Sequence, residues 1–263
     1  MKPYLAIISA RFRMLLQYRA AAVAGFATQL FWGLIRVMIF QAFYESTLAP
    51  QPMTFADVVT YVWLGQAMLR ILPWDVEGEH RQMIRSGTVA YELLRPLDLY
   101  ATWFSRALAF RIAPTTLRAL PMFALAIPFL GMGWPASWGS AAAFAAAMVG
   151  ALALSAAITT LVSITLLWTL SGDGLSRLIP AAVVLLSGMI VPLPLFPGWA
   201  QGILNLLPFR GVVDLPFRLY MGHIPPGQVF AVLAHQLGWT VGLVAIGRLA
   251  LGRGIRRLVV QGG

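Results

Sequence analysis

The chain has 263 residues but no cysteine, and its only lysine is Lys2. Without cysteine it has no disulfide bond, no thiolate metal ligand and no cysteine nucleophile. A nucleotide-binding P-loop requires a lysine directly after its glycines, and Lys2 does not stand in such a motif. We therefore expect this chain to hydrolyse no ATP itself, so that any ATP-driven activity depends on another subunit.

Charged residues are also scarce. Only 11% of the residues are charged and 59% are hydrophobic, with a mean hydropathy of +0.78, whereas soluble proteins carry about 25% charged residues. These values indicate an integral membrane protein. The net charge of +10 would favour nucleic acid in a soluble protein, but here the arginines cluster at the ends of apolar segments, as cytosolic anchors do. Membrane lipids, and not nucleic acids, are the expected partners.

Long apolar segments predict the membrane topology. A transmembrane helix needs about 20 apolar residues to cross the hydrocarbon layer. Six transmembrane helices are predicted, over residues 20–43, 55–72, 107–130, 139–170, 178–196 and 228–251. The sequence contains no separate water-soluble domain, so residues 1–263 are predicted to form one all-α membrane domain with both termini on the same side.

Lysine and arginine are divided unevenly between the two sets of predicted loops. One set contains only Arg210 and Arg218. The other set, together with the terminal segments, contains Lys2, Arg11, Arg13, Arg19, Arg70, Arg81, Arg85, Arg95, Arg106, Arg177, Arg253, Arg256 and Arg257. Because cytosolic loops carry an excess of these residues, both termini are expected to be cytosolic.

Residues 1–18 are predicted to form an amphipathic helix. Apolar Leu5 and Phe12 share one helical face, and polar Lys2 and Arg13 share the opposite face. This pattern is typical of an interfacial helix that lies in the inner headgroup layer. The alternative is a simple cytosolic extension of the first span.

The cytosolic region 73–106 is the longest polar region between two predicted spans. Its pattern predicts two short helices separated by a break at Gly87. Leu93 and Leu94 would offer an apolar knob, with the charge of Arg95 beside it, to a cleft on a soluble partner. Two helices can be joined by a few residues, so the length of this region favours a docking role. The alternative is that it only solvates the inner ends of two spans.

The predicted outer segment, residues 192–226, is rich in proline and apolar residues. Each apolar piece is too short to cross the bilayer, and their hydrophobicity disfavours a fully solvated loop. We predict a pair of re-entrant half-helices that cap the outer side of the bundle before the sixth span. For the stretch after Arg210, an interfacial helix resting on the headgroups is the alternative.

A few charged or titratable side chains fall within predicted spans. Arg36 lies about 24 Å into the first span, where it either snorkels to the outer surface or faces the bundle. Arg118 either lines a cavity that attracts anionic headgroups or anchors its span at the inner surface, and anchoring is favoured for Arg111. His235 is expected to be satisfied by a neighbouring backbone or hydroxyl group and not to relay protons.

Two sets of motifs resemble those of ABC-2-type permeases, the transmembrane subunits of bacterial ABC exporters. The first set is similar to their coupling loop after the second span, and consists of Ile84-Arg85-Ser86-Gly87-Thr88-Val89 and Leu93-Leu94-Arg95-Pro96. The second set is similar to their outer re-entrant region, and consists of Leu207-Pro208-Phe209, Asp214-Leu215-Pro216 and Leu219-Tyr220-Met221-Gly222. The resemblance covers almost the whole chain and is greatest to the branch in which two permeases accompany one ATPase.

This resemblance implies an exporter permease of the bacterial inner membrane that moves an amphiphilic, drug-like or lipid-like substrate out of the cytoplasm or the inner leaflet. It implies a homodimer or heterodimer of permeases with ABC ATP-binding subunits that hold ATP and Mg²⁺, while this chain binds no cofactor or metal. The implied docking and coupling residues are Ile84, Arg85, Gly87, Val89, Glu92, Leu93, Leu94, Arg95 and Pro96. The implied outer gate consists of Pro192, Pro197, Leu207, Pro208, Phe209, Asp214 and Pro216.

Two other functions compete with this interpretation. A membrane-embedded lipid-modifying enzyme would need a catalytic cluster, for which Glu77, Glu79 and His80 are the candidates. Their spacing does not put all three side chains on one helical face. A passive channel is disfavoured because no predicted span has a regular polar stripe.

Overall fold

The computed structural model describes residues 2–17, 19–73, 82–83, 88–167 and 173–256. All regular secondary structure in these residues is helical. The α-helices are α1 (Lys2–Leu16), α2 (Arg19–Ser46), α3 (Phe55–Ala67), α4 (Val89–Leu93), α5 (Leu99–Phe129), α6 (Trp138–Thr165), α7 (Asp173–Leu186), α8 (Gly198–Leu206), α9 (Asp214–Tyr220) and α10 (Val229–Ile255). Short 3-10 helices cover Leu69–Ile71, Leu193–Leu195, Pro208–Gly211 and Pro226–Gln228.

Within the described residues, α2, α5, α6 and α10 are the four helices that are long and apolar enough to cross a membrane. They correspond to the first, third, fourth and sixth predicted spans. One boundary differs clearly, because α5 begins at Leu99 and not near residue 107. Asp98 caps this helix by accepting a 2.7 Å hydrogen bond from the backbone N–H of Ala101. The end of the region 73–106 is therefore the start of a long helix.

The second predicted span, residues 55–72, consists of α3 and the 3-10 turn Leu69–Ile71. The 13 residues of α3 extend only about 20 Å, less than the thickness of the hydrocarbon layer. All residues from Val58 to Ala67 are buried inside the protein. Because α3 packs at the centre of the bundle, its apolar side chains face other helices on every side.

The fifth predicted span, residues 178–196, is interrupted. α7 ends at Leu186, and Gly188 has a φ of +92°, the left-handed region that favours glycine. Pro192 and Pro194 follow, and neither has a backbone N–H to continue a helix. The prediction of one continuous helix to residue 196 is wrong, because the turn and the two prolines divide the apolar segment into α7 and a separate 3-10 turn.

The main hydrophobic core surrounds α3. Trp63 is fully buried there and packs in the same cluster as Met122 of α5, Leu154 of α6 and Phe217 of α9. A second, smaller core joins α4 to the nearby ends of α5, α6 and α10. We call this end of the bundle the α4 end, and the opposite end, where α5 turns into α6 beside α9, the α9 end.

Candidate functional sites

The short helix α4 is fixed to the bundle by two inward-facing side chains. Val89 is 1% exposed and belongs to the same apolar cluster as Trp103 and Leu251. Glu92 is 7% exposed and lies 2.6 Å from Nη2 of Arg106. Its carboxylate also accepts a 2.8 Å hydrogen bond from Nε1 of Trp103. A paired and hydrogen-bonded carboxylate holds α4 rigidly against α5.

The other side of α4 faces away from the protein. Leu94 is 80% exposed, Tyr91 is 70% exposed and Leu93 is 41% exposed. Arg95 and Pro96 are exposed as well. The predicted apolar knob is therefore accessible on a helix whose opposite side is anchored. Exposed apolar side chains that lie next to one another are a common feature of protein interaction surfaces.

The predicted docking residues thus divide into two groups. Val89 and Glu92 point into the bundle and support α4, while Leu93 and Leu94 are open to a partner. Ile84, Arg85 and Gly87 lie outside the described residues, as do the alternative catalytic candidates Glu77, Glu79 and His80. Trp103 and Arg106, which hold Glu92, were not among the predicted site residues. Trp103 and Arg106 follow Glu92 by 11 and 14 positions in the chain. This spacing is the only sequence signal that could have suggested their contact with Glu92.

The N-terminal helix α1 also contacts the rest of the protein at the α4 end. The backbone N–H of Asp98 donates a 3.1 Å hydrogen bond to the hydroxyl oxygen of Tyr4 in α1. The carboxylate of Asp98 lies 3.2 Å from Nη2 of Arg248 in α10. A cavity of about 310 Å³ opens beside this pair, between Leu93 and Ile255. Asp98, which lies between α4 and α5 in the chain, therefore contacts both α1 and α10.

At the α9 end, the segment 192–226 contains two short helices with different surroundings. α8 is largely exposed, with Trp199 at 80% and Leu206 at 73%. α9 is almost completely buried, and its Phe217 is in the main core. The prediction of two short apolar helices agrees with this arrangement, but only α8 covers the surface, whereas α9 packs inside.

The predicted gate residues are distributed accordingly. Pro197 is exposed, and Leu207 and Phe209 are partly buried. Those that are buried are Pro192, Pro208, Asp214 and Pro216. A cleft of about 390 Å³ lies nearby and is lined by Phe123, Ile127, Trp134, Pro135, Ser137, Trp138, Ala141 and Tyr220.

Asp214 is the central polar residue at the α9 end. It is 1% exposed, accepts a 3.4 Å hydrogen bond from the hydroxyl of Tyr61, and has Arg218 at 3.8 Å. Burial raises the pKa of Asp214 to about 6, and the positive charges of Arg218 and Arg210 act against this rise. This network connects α3 with α9 across 153 residues of chain.

Arg36 faces the bundle and does not snorkel. Its Nη2 donates a 2.7 Å hydrogen bond to the carbonyl of Ile190, in the break that follows α7. A Cβ atom at Gly65 of α3 would lie 3.7 Å from Nη1 of Arg36. Arg36 therefore joins α2 to the broken fifth segment, close to α3.

Arg118 also turns towards another helix. Its guanidinium lies against Gly25 of α2, so closely that a Cβ atom at this position would overlap it. Only glycine allows α2 and Arg118 to approach in this way. This contact places the guanidinium of Arg118 against α2, and both alternatives for Arg118, a cavity that attracts anionic headgroups and an anchor at the inner surface, stay predictions.

Residues 30–262 match the protein family described as ABC-2 family transporter protein. The match covers most of the chain, from α2 through α10, and confirms the resemblance drawn from the motifs. No curated protein and no solved structure matches the chain.

Proposed function

Because this chain belongs to the ABC-2 family of transporter proteins, we propose that it is the permease subunit of an ATP-driven exporter in the bacterial inner membrane. An ABC ATP-binding subunit would bind ATP and Mg²⁺ and supply the energy. The observation that carries this proposal is the combination found in α4, an exposed Leu93-Leu94 pair on a helix anchored through Glu92. A soluble ATP-binding subunit can move a membrane bundle only by binding to a part of it that is held rigidly, as α4 is.

We propose further that all six apolar segments cross or nearly cross the membrane. α2, α5, α6 and α10 are long enough to cross the membrane. α3 is shorter, but it lies at the centre of the bundle, where other helices and not lipid surround it. The surplus of lysine and arginine at the α4 end supports placing that end, and both termini, in the cytosol. In this orientation α1 is the interfacial helix of the inner leaflet.

The proposed coupling route begins at α4. A push on α4 passes through Glu92 and Arg106 to α5, and through the Asp98–Arg248 pair to α10. At the α9 end, the hydrogen bonds from Arg36 to Ile190 and from Tyr61 to Asp214 hold the outer segment closed. In this mechanism the ATP-driven movement separates these contacts and opens a path for an amphiphilic, drug-like or lipid-like substrate.

A second permease copy, or a related permease, would complete the transporter. α2 exposes large apolar side chains along most of its length, among them Phe31, Trp32, Met38 and Ile39. α7 and the residues after it add Leu178, Leu185 and Ile190. These surfaces suit contact with lipid and with another permease subunit, and both ABC-2-type homodimers and heterodimers are compatible with them.

The docking role is tested by replacing both Leu93 and Leu94 with aspartate. Charged side chains would not enter an apolar cleft, so we expect the ATP-binding subunit to be lost when the tagged permease is purified from membranes. Insertion into the membrane should be unchanged, because both side chains are exposed.

Leu48→Asp is the matched control, since Leu48 is fully exposed in the connection between α2 and α3. This variant should retain the ATP-binding subunit. Equal recovery of that subunit with the double aspartate variant and with the unaltered protein would refute the docking role of α4.

A further inference from the structure

The cavity beside the Asp98–Arg248 pair lies directly next to the exposed leucines of α4. Its volume is about 310 Å³, and its walls include Leu93 of α4 together with Leu251 and Ile255 of α10. Cavities of about 300 Å³ and more can hold a small ligand or a bulky side chain. Because Leu93 is partly exposed and also lines the cavity, a partner that contacts Leu93 from outside also reaches the cavity.

The walls of the cavity are fixed by contacts within the protein. The carboxylate of Asp98 lies 3.2 Å from Nη2 of Arg248, and the guanidinium of Arg248 lies over the ring of Tyr100, at 5.3 Å from its centroid. The ring of Tyr100 lies so close to Gly247 of α10 that a Cβ atom at this position would overlap it. A site that is formed before its partner arrives loses little conformational freedom on binding. Filling this cavity would therefore require little rearrangement.

The position of the cavity along α10 places it beyond the hydrocarbon layer. Gly252 lines the cavity and follows Val229, the first residue of α10, by 23 positions, or about 35 Å along the helix axis. The hydrocarbon layer is only about 30 Å thick. A soluble protein can therefore reach the cavity, whereas the acyl chain of a membrane lipid would have to leave the hydrocarbon to enter it.

Exposed arginines flank the cavity. Arg95 follows the exposed leucines of α4, and Arg256 follows Gly252 by one helical turn. Neither arginine forms an ion pair with a carboxylate of the described residues. Asp98, the carboxylate that lines the cavity, is already paired with Arg248. A partner with acidic residues at its surface would complement these charges.

The combination of apolar walls and flanking positive charge favours a protein over a lipid as the occupant. An anionic headgroup would match the arginines but would place a polar group against leucine and isoleucine side chains. An acyl chain would match those side chains but would lie against the ion pair of Asp98 and Arg248. A protein surface can match both, because it can present one large apolar side chain among acidic neighbours. Side chains that fill a pocket in this way are usually the energetic centres of protein interfaces.

We infer that this cavity between α4 and α10 is a second part of the docking surface and receives one large apolar side chain of the ATP-binding subunit, with acidic residues beside it that face Arg95 and Arg256. The inference rests on the proposed exporter function and names the chemistry of the partner surface. Its consequence is that the ATP-binding subunit contacts α10 directly and acts on this helix as well as on α4.

Gly252→Trp tests the inference by filling the cavity from within. No described atom lies within 4 Å of a Cβ atom at Gly252, so the fold has room for the new side chain. The ATP-binding subunit that purifies with the unaltered permease is the probe, and its binding to the full chain in lipid nanodiscs is measured. The dissociation constant should rise by at least about tenfold, because the apolar side chain of the subunit is excluded.

Gly238→Trp is the matched control. Gly238 lies on the same helix, about 21 Å from Gly252, and a Cβ atom there also has no described atom within 4 Å. This variant should bind the ATP-binding subunit as tightly as the unaltered permease does.

Arg256→Glu tests the charge of the partner surface. It should raise the dissociation constant at low salt, and the difference from the unaltered permease should shrink at high salt, because salt screens exposed charges. An unchanged dissociation constant at low salt would contradict the acidic character of the partner surface.

The lack of cysteine allows a direct test of what fills the cavity. Gly252→Cys, labelled with a photoreactive benzophenone maleimide, should crosslink to the ATP-binding subunit at an apolar residue with acidic neighbours. Gly238→Cys, labelled in the same way, should crosslink only to lipid. This small substitution also provides the test if Gly252→Trp fails to insert.

Two results would overturn the inference. One is equal binding of the ATP-binding subunit by Gly252→Trp and by the unaltered permease. The other is crosslinking of the labelled Gly252→Cys variant only to lipid or only within this chain. If the Leu93→Asp/Leu94→Asp variant loses the subunit while Gly252→Trp binds it normally, the cavity has no part in docking and the role of α4 stands. If the unaltered permease binds no ATP-binding subunit, the proposed function fails as well.

Discussion

Arg111 illustrates how a single residue can be charged and yet structural in this bundle. It is 2% exposed, and its Nε donates to Oγ of Ser155 at 2.9 Å. Nη1 donates to the carbonyl of Ala107 at 2.5 Å, and Nη2 donates to Oγ1 of Thr159. The rigid fork of the guanidinium connects α5 with two turns of α6. The expectation that Arg111 anchors its span at the membrane surface is therefore wrong.

Glu92 is the residue whose replacement should affect both stability and coupling. In Glu92→Ala, Arg106 keeps a buried charge and Trp103 keeps a buried N–H, and both have lost their acceptor. We expect the free energy of unfolding to fall by about 3 kcal/mol. Recovery of the ATP-binding subunit should also fall, although Leu93 and Leu94 are unaltered. Unfolding by denaturant in detergent and co-purification measure the two effects.

Arg248→Ala provides the comparison for Glu92→Ala. The ion pair of Arg248 with Asp98 has side chains that are 53% and 45% exposed. Exposed pairs contribute about 0–1 kcal/mol, so the free energy of unfolding should change little. If the two variants destabilise the protein equally, Glu92 has no special role in anchoring α4.

At the scale of the helix, α3 organises the α9 end of the bundle. It begins with a capping box formed by Thr54 and Asp57. Nε1 of Trp63 donates a 2.9 Å hydrogen bond to the carbonyl of Leu130, where α5 ends. The hydroxyl oxygen of Thr60 accepts a 2.9 Å hydrogen bond from the N–H of Gly133. A short central helix thus fixes the turn between two long ones.

The contact between α6 and α10 depends on close approach at one glycine. Gly150 of α6 lies against the amide of Gln236 in α10, and a Cβ atom there would overlap that amide. Gln236 is fully buried and donates from Nε2 to the carbonyls of Ala147 (2.9 Å) and Gly211 (2.8 Å). Gln236 cannot move aside without losing both bonds.

Gly150→Ala is therefore expected to lower the free energy of unfolding by about 1–3 kcal/mol, the usual cost of overpacking. Gly238→Ala is the matched control, because no described atom lies within 4 Å of a Cβ atom at Gly238. Alanine favours helices over glycine by up to about 1 kcal/mol, so this variant should be neutral or stabilising. Thermal unfolding in detergent compares the two, and an equal effect would contradict the close approach.

At the scale of the whole molecule, the lack of cysteine makes the orientation directly measurable. Leu48→Cys, between α2 and α3, and Leu94→Cys, after α4, place single thiols on exposed positions at opposite ends of the bundle. In intact cells a membrane-impermeant maleimide should label Leu48→Cys. It should label Leu94→Cys only after the inner membrane has been permeabilised. Labelling of Leu94→Cys in intact cells would place α4 outside the cytosol and exclude docking of an ATPase there.

Much of the helical arrangement could be predicted from the sequence. The four long helices lie where apolar runs of membrane length predicted them, because hydrophobicity over about 20 residues is a strong local signal. The break at Gly188 was missed, since an apolar run gives no indication that the chain turns inside it. The exposed Leu93-Leu94 pair followed from the local pattern, but the inward direction of Glu92 did not.

The sequence by itself determined the membrane environment, the helical class and the family, since these depend on composition and on short motifs. The tertiary structure alone decided which polar side chains are paired. Arg36 and Ile190 are 154 positions apart, and Tyr61 and Asp214 are 153 apart, so no local pattern indicates their contact. It likewise decided that the buried amide of Gln29 has no hydrogen-bond partner among the residues that the structure describes. The physical reason is that the apolar environment acts on every residue of a span, whereas a hydrogen bond depends on which helices become neighbours.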